Sequence, residues 1–182
     1  MENVELITQE DIYKKKLYKA YIESKNLFIS AEEILERMSF FVAPIIEHRD
    51  ALDHIMRYFN YKSEDGLTER AIKELDRALE HELRAYFDIA DFVCITIRQE
   101  IASSLKNVSS RKIKKIWNDY IDVKNRIAKV SDELVGIRQN RGSSLEHLEK
   151  YLPVMEEILD IYKFFNSNIE PQIRKMSFMK WK

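Results

Sequence analysis

The chain has 182 residues, of which 45% are hydrophobic, and a formal net charge of −1. This length and composition suit one ordinary domain with a real core and favour a folded chain over a disordered one. Glycine and proline number only three each, and because sheets need such residues in their turns, the sequence predicts a few long helices.

Three further features of the sequence bear on the cellular compartment and on whether the chain spans a membrane. The longest apolar run, residues 40–46, is far shorter than the ~18 residues that span a bilayer. The N-terminus lacks the basic and apolar regions of a signal peptide. The single cysteine, Cys94, cannot form an internal disulfide, so we expect a small core residue. These features predict a cytoplasmic protein.

Two capping boxes, each a hydroxyl residue followed three positions later by an acid, divide the first third of the chain. The box at residues 8–11 predicts a helix to about Leu27. The box at residues 30–33 predicts a second helix to about Phe59. Pro44 lies inside this second helix, so we expect a kink or a restart there.

A glycine-containing loop at residues 63–66 precedes the longest helical pattern, from Leu67 to about Leu105. Free of glycine and proline, this segment predicts a rod of ~55 Å. Its predicted core stripe comprises Ile72, Leu75, Leu79, Leu83, Tyr86, Ile89, Ala90, Val93, Ile97 and Ile101.

A turn at residues 107–110 leads into a predicted helix from Arg111 to Ile137. A third capping box, at residues 143–146, predicts a last helix to about Asn166, with a kink at Pro153.

The sequence therefore predicts an all-α fold, an elongated bundle of about five mostly antiparallel helices with kinks near Pro44 and Pro153. We expect one domain over residues 1–173. Residues 174–182 form a basic and aromatic tail. Such a tail can fold back over the bundle, or it can serve as a docking peptide or a membrane-surface contact.

The segment from Glu47 to His54 places three acids, two histidines and one arginine in eight residues. On a helix, one face carries His48 as an edge-of-core residue, with Ile45, Leu52, Ile55 and Phe59. The opposite face carries Arg49, Asp53 and Arg57, which at four-residue spacing predict an exposed ladder of ion pairs. Asp50 precedes His54 by four residues, so its carboxylate can orient the imidazole.

The run Arg49-Asp50-Ala51-Leu52-Asp53-His54 resembles the signature of the HEPN superfamily, small helical bundles that include metal-independent ribonucleases of toxin, antiviral and CRISPR-associated systems. The resemblance implies that Arg49 stabilises the negative charge on the reacting phosphate of the RNA and that His54 is the general acid or base. It also implies that Asp50 is the polar residue after the arginine. Tyr58 stands near the position where the family often has a tyrosine.

In that family these residues commonly meet across a dimer. Arg49 and His54 point about 140° apart on an ideal helix, so a second copy or a distortion is needed to aim both at one phosphate.

Cations concentrate in the second half of the chain, where residues 106–141 carry ten Lys and Arg against four acids. Arg111, Lys112, Lys114 and Lys115 crowd the start of a predicted helix, where cations are unfavourable, so we expect them to bind a phosphate or an acidic partner. Two more arginines, Arg138 and Arg141, lie at a predicted helix end, where they complement the helix dipole. We include both in the predicted anion- or partner-binding set.

Two functions follow from these patterns. The first is a helical interaction module that self-associates or binds another protein or RNA. The second is a HEPN-like ribonuclease or its inactive relative. We expect no cofactor, because the sequence has no glycine-rich phosphate loop, no zinc-ligand spacing and no glutamate three residues before a histidine.

Overall fold

Helices make up nearly all of the computed structural model, which describes residues 2–34, 42–139 and 145–178. No strand occurs among these residues, so the all-α prediction is confirmed. None of the described helices is long and apolar enough to cross a membrane. The α-helices are α1 (Glu2–Ile34), α2 (Val42–Asp65), α3 (Glu69–Leu105), α4 (Ser110–Ile116), α5 (Tyr120–Gln139), α6 (Leu145–Phe164) and α7 (Glu170–Phe178), and a π-helical turn spans Phe165–Ile169.

Helix α1 is a single helix, which corrects both predicted boundaries in this part of the chain. It begins before Thr8 and continues past Ser30 to Ile34. The Thr8 hydroxyl donates to the Val4 carbonyl oxygen at 2.9 Å, one turn back, instead of capping a helix start. No glycine or proline interrupts this segment, so hydroxyl residues alone do not end the helix.

Helix α2 extends beyond the predicted end at Phe59 to Asp65. The residue after this end is Gly66, whose φ of 76° lies in the left-handed region that favours glycine. Pro44 is the third residue of α2 as described, and a proline is tolerated in a first helical turn. Residues 35–41, which hold the start of the predicted second helix, lie outside the described part.

Helix α3 confirms the prediction of one long helix, with 37 residues. All ten residues of its predicted core stripe are buried. Cys94 is also buried, as predicted for a small core residue.

The predicted helix from Arg111 to Ile137 is broken into α4 and α5. The break begins at Trp117, whose backbone leaves the helical region at φ −139° and ψ 84°. The Trp117 ring is 1% exposed and contacts Tyr120, Phe164 and Phe165. We infer that burying this large ring outweighs the few helical hydrogen bonds lost at the break.

The last predicted helix continues past Asn166. Pro153 lies inside α6, which remains helical on both sides of it. A π-helical turn follows, and α7 then carries residues 170–178 of the region that includes the predicted tail. Residues 179–182 lie outside the described part.

The chain divides into two compact units. Unit 1 is Met1–Ala90 with Gly142–Leu148, and unit 2 is Asp91–Arg141 with Glu149–Lys182. The prediction of a single domain over residues 1–173 stays a prediction.

Unit 1 contains α1, α2 and the first part of α3, and side-chain contacts fix their directions. Lys62 near the end of α2 donates to Glu10 near the start of α1 at 2.7 Å. At the opposite ends of these two helices, Ser24 lies 3.4 Å from His48. Helices α1 and α2 are therefore antiparallel. The core between the helices includes Tyr58, Ala71 and Leu75, with Tyr13, Leu17, Tyr61 and Leu67 packed against them.

Unit 2 is held by contacts between α3, α5 and α6. The Cys94 thiol lies 3.4 Å from the Met155 sulfur, and Tyr162 donates to Glu100. These contacts place α6 alongside the second part of α3. Arg126 of α5 donates to Glu157 of α6 at 2.7 Å.

Candidate functional site

Three histidines of unit 1 are each held by a glutamate of the facing helix. His54 Nδ1 lies 2.6 Å from Glu74 Oε2. The second pair exchanges the helices, with the histidine on α3 and the glutamate on α2: His81 Nδ1 lies 2.7 Å from Glu47 Oε2. The imidazole rings of His54 and His81 stack with their centroids 5.2 Å apart. We call these four residues the histidine cluster.

The third histidine, His48, directly follows Glu47 of this cluster, and its partner Glu82 directly follows His81. His48 Nδ1 is 2.9 Å from Glu82 Oε2, and its ring meets Tyr21 of α1 edge to face. Glu74 and Glu82 are both nearly fully buried. A buried carboxylate is costly unless a donor or a positive charge faces it. Glu74 accepts from Arg77 at 3.0 Å and lies within hydrogen-bonding distance of His54. Glu82 Oε2 faces the His48 ring but makes no hydrogen bond within the described residues.

Heptad spacing on two antiparallel helices brings the cluster together. On α2, His54 follows Glu47 by seven residues, and on α3, His81 follows Glu74 by seven. Seven residues are two helical turns, so each pair lies on one helix face. Because α2 and α3 run in opposite directions, each glutamate meets the other helix's histidine.

Sequence reasoning missed Glu74, His81 and Glu82. The available signal was the repeat of a glutamate and a histidine seven residues apart in two consecutive helices. Within α2 alone the nearest carboxylate to His54 on the same side of the helix is that of Asp50, so the pattern of this one helix does not indicate the partner on α3.

Arg49 lies on the outer surface of α2, with a side chain that is 70% exposed. Its guanidinium donates to Asp50 Oδ1 at 2.7 and 3.0 Å. These hydrogen bonds, together with the charges of Arg49, His81 and His54, lower the pKa of the Asp50 carboxyl against the opposing effect of burial. Asp50 thus lies between the exposed arginine and the inward-facing cluster.

The remaining predicted members of this segment have different neighbours. Arg57 pairs with Asp53 at 2.5 Å, as the predicted ladder requires, but Arg49 pairs with Asp50. Tyr58 is 1% exposed and donates to Glu10 of α1. The structure therefore brings Asp50 and His54 into one neighbourhood and places Tyr58 in the core.

The outward face of α2 is apolar, which reverses the predicted orientation of its hydrophobic residues. The side chains that we predicted to border the core, such as Ile45, Leu52 and Phe59, are 55–57% exposed. Their spacing along the helix alternates between three and four residues, the repeat of a coiled-coil seam. The full set, which we call the α2 stripe, is Val42, Ile45, Arg49, Leu52, Met56 and Phe59.

The inward face of α2 follows the same spacing. It combines buried residues with the ionisable groups that meet α3, and its members are Pro44, Glu47, Ala51, His54, Tyr58 and Tyr61. The helix therefore directs two histidine-cluster residues inward and five large apolar residues outward.

A groove of about 340 Å³ adjoins the α2 stripe at Phe59. Tyr18 and Tyr21 of α1 line it together with Ile55 and Phe59 of α2. Both tyrosines are exposed, so the apolar surface of unit 1 extends from α2 onto α1.

The predicted anion-binding cations lie in unit 2. Arg111, Lys112, Lys114 and Lys115 are all exposed on α4, and none forms an ion pair with a described residue. Arg138 has a described backbone in α5 but no described side chain, and Arg141 lies outside the described residues. Binding of an anion by these six residues stays a prediction.

The chain matches no protein-family model, no curated protein and no solved structure.

Proposed function

We propose that this protein is a self-associating helical interaction module and that two copies pair through the α2 stripe. The observation that supports this proposal is the exposure of five large apolar residues at seam spacing on one helix face. Single exposed apolar residues are ordinary on protein surfaces, whereas a contiguous apolar strip is typical of an interaction site.

A second copy is the partner that the α2 stripe fits best, because the stripe is complementary to itself. If two α2 helices run antiparallel, with a two-fold axis between residues 50 and 51, Val42 of one copy faces Phe59 of the other. In the same arrangement Ile45 faces Met56 and Arg49 faces Leu52. Every position of the stripe then has a partner, as a two-fold interface requires.

Charge complementarity supports the same arrangement. Arg49 of one copy faces Leu52 of the other, so its long side chain can reach the neighbouring Asp53, and the two-fold axis generates this ion pair twice. The side chains of Arg49 and Asp53 are 70% and 56% exposed, so both are accessible to a second molecule. Opposite charges beside an apolar seam determine the relative orientation of the two helices and which helix is accepted as a partner.

A charge-swap series tests this pairing by analytical ultracentrifugation. We expect Arg49→Asp to weaken self-association by roughly tenfold, because it places two aspartates opposite each other. We expect Asp53→Arg to have a similar effect. The double variant, Arg49→Asp with Asp53→Arg, restores the ion pair with reversed polarity and is expected to restore association.

Lys73→Asp is the matched control, since Lys73 is exposed on α3 away from the stripe. The pairing is contradicted if the wild type stays monomeric at about 100 µM, a concentration at which a weak specific interface populates a dimer. It is also contradicted if the double variant associates no better than either single variant.

A metal-independent ribonuclease is the second candidate function, and the histidine cluster favours it. Glu74 and Glu47 contact Nδ1 of His54 and His81, which leaves Nε2 of each ring to exchange a proton. One imidazole can serve as a base for the 2′-hydroxyl and the other as an acid for the leaving oxygen. Arg49, which is hydrogen-bonded to Asp50, can supply the positive charge that stabilises the phosphorane in the transition state.

Labelled RNA in EDTA tests the ribonuclease. We expect an active enzyme to lose cleavage in the Arg49→Ala, His54→Ala double variant and in His81→Ala. His147→Ala, which changes a histidine outside the cluster, is the control. If no preparation cleaves RNA, or all cleave it equally, the ribonuclease is excluded and the interaction module is unaffected.

A further inference from the structure

Unit 2 contains a groove of about 380 Å³ between α3 and α5. This volume falls within the range of about 300–1,000 Å³ that small-molecule sites occupy. The lining residues of α3 recur at helical spacing on one face, as do those of α5. They are Ile95, Arg98, Gln99, Ile101 and Ala102 on α3 and Tyr120, Lys124 and Ile127 on α5.

The groove combines an apolar wall with two cations. Ile95, Ile101 and Ile127 supply aliphatic surface, while Arg98 and Lys124 supply positive charge. None of the eight lining residues is acidic. In the part of the chain that the structure describes, neither cation forms an ion pair.

Both cations therefore remain available to a ligand. Arg98 presents a planar fork that matches a carboxylate, Lys124 adds a second charge and the Gln99 amide can donate a further hydrogen bond. An apolar wall beside two cations matches a molecule with an aliphatic body and an anionic end. A neutral hydrocarbon would gain nothing from the charges, and an organic cation would be repelled.

We propose that the groove between α3 and α5 binds a small amphiphilic carboxylate, with its carboxylate at Arg98 and Lys124 and its aliphatic body against the isoleucines. This site is separate from the α2 stripe and does not depend on self-association or on ribonuclease activity.

Decanoate is a suitable probe, and Trp117 provides an internal reporter. The Trp117 ring lies 5.4 Å, between centroids, from Tyr120, which lines the groove. The chain has only one other tryptophan, Trp181. In a Trp181→Phe background we expect decanoate to change the Trp117 fluorescence with a Kd of about 0.1–1 mM. Calorimetry on the unmodified chain measures the same affinity independently.

Four variants separate the effects of charge and of groove shape from nonspecific effects. We expect Arg98→Gln and Lys124→Gln each to weaken decanoate binding by about three- to fivefold, because each removes one partially screened charge. Ala102→Phe is expected to abolish binding by filling the groove while keeping both cations. Lys112→Gln, which removes an exposed cation on α4, is expected to bind like the wild type.

The reverse-charge analogue decyltrimethylammonium decides between a specific site and general apolar adsorption. Equal affinity for this cation and for decanoate would overturn the proposal. Unchanged decanoate binding in Ala102→Phe, or in the two glutamine variants, would also overturn it. Circular dichroism confirms that each variant is folded before its affinity is compared.

Discussion

Glu10 links α1 to α2 through a single carboxylate. Lys14, Lys62 and Tyr58 all donate to its Oε1, and the residue is 5% exposed. Burial by itself raises the pKa of Glu10, but the hydrogen bonds from Lys14, Lys62 and Tyr58 outweigh it and lower the pKa from 4.5 to about 2. The folded state therefore favours the ionised carboxylate more strongly than the unfolded state does.

The lowered pKa of Glu10 predicts a pH-dependent contribution to stability. A carboxyl with a depressed folded pKa stabilises fully above its unfolded pKa, and the contribution disappears as the pH falls from 4.5 toward 2. We expect Glu10→Gln to reduce the free energy of unfolding at pH 7 by roughly 2–3 kcal/mol. Urea denaturation at pH 7 and pH 3 measures the change.

Glu5→Gln is the matched control, because Glu5 is an exposed glutamate on the same helix. The difference between wild type and Glu10→Gln should narrow at the lower pH. An equal difference at both pH values would show that the ionised carboxylate is not the source of the stabilisation.

At the scale of the element, α2 shows how two faces of one helix serve different purposes. Ala51 is fully buried, whereas its neighbour Leu52 is 57% exposed. The small alanine lies on the inward face with His54 and Tyr58. An ordinary amphipathic helix would bury the leucine, so this helix keeps apolar area available outside unit 1.

A change at the small Ala51 should therefore affect the free energy of unfolding more than a change at the larger Leu52. We expect Ala51→Leu to lower the free energy of unfolding by about 1–3 kcal/mol, because three extra carbons must fit into a filled space. We expect Leu52→Ser to change it by less than about 0.5 kcal/mol in the monomer. Urea denaturation at low protein concentration compares them. A larger loss for Leu52→Ser would mean that the leucine is buried within the chain.

The histidine cluster also acts at this scale, since it fixes how α2 lies against α3. Glu47 meets His81 and His54 meets Glu74 only when the two helices have one relative register. A shift by one turn would bury carboxylates without their imidazole partners, at a cost of several kcal/mol. The cluster thus specifies the register in either proposed function.

At the scale of the whole molecule, pairing through the α2 stripe couples stability to protein concentration. A dimer that forms only from folded chains stabilises the folded state by mass action. We therefore expect the Tm of the wild type to rise by a few degrees as the protein concentration increases from about 1 to 100 µM. Differential scanning calorimetry measures this trend.

Leu52→Lys provides the comparison, because it places a charge within the seam and leaves the inward face of α2 unchanged. We expect its Tm to be independent of concentration over the same range. A concentration-independent Tm for the wild type as well would contradict self-association of the folded chain.

Much of the architecture followed from local pattern. The scarcity of glycine and proline was enough to predict an all-α fold, and all ten residues that the periodicity of α3 predicted for its core stripe are buried. These successes have one physical cause, since helix formation and the separation of apolar from polar faces depend on neighbours within two turns.

Contacts between residues distant in sequence decided the rest. Both faces of α2 repeat at three and four residues, so periodicity could not say that Leu52 is exposed and Ala51 is buried. We infer that the non-helical backbone at Trp117 depends on Phe164 and Phe165, which lie almost fifty residues away in sequence. Likewise, His54 meets Glu74 because α2 and α3 are antiparallel. The exposed face of α2, the helix break and the histidine pairing all depend on which surfaces the folded chain brings together. A local sequence pattern carries no information about these long-range contacts.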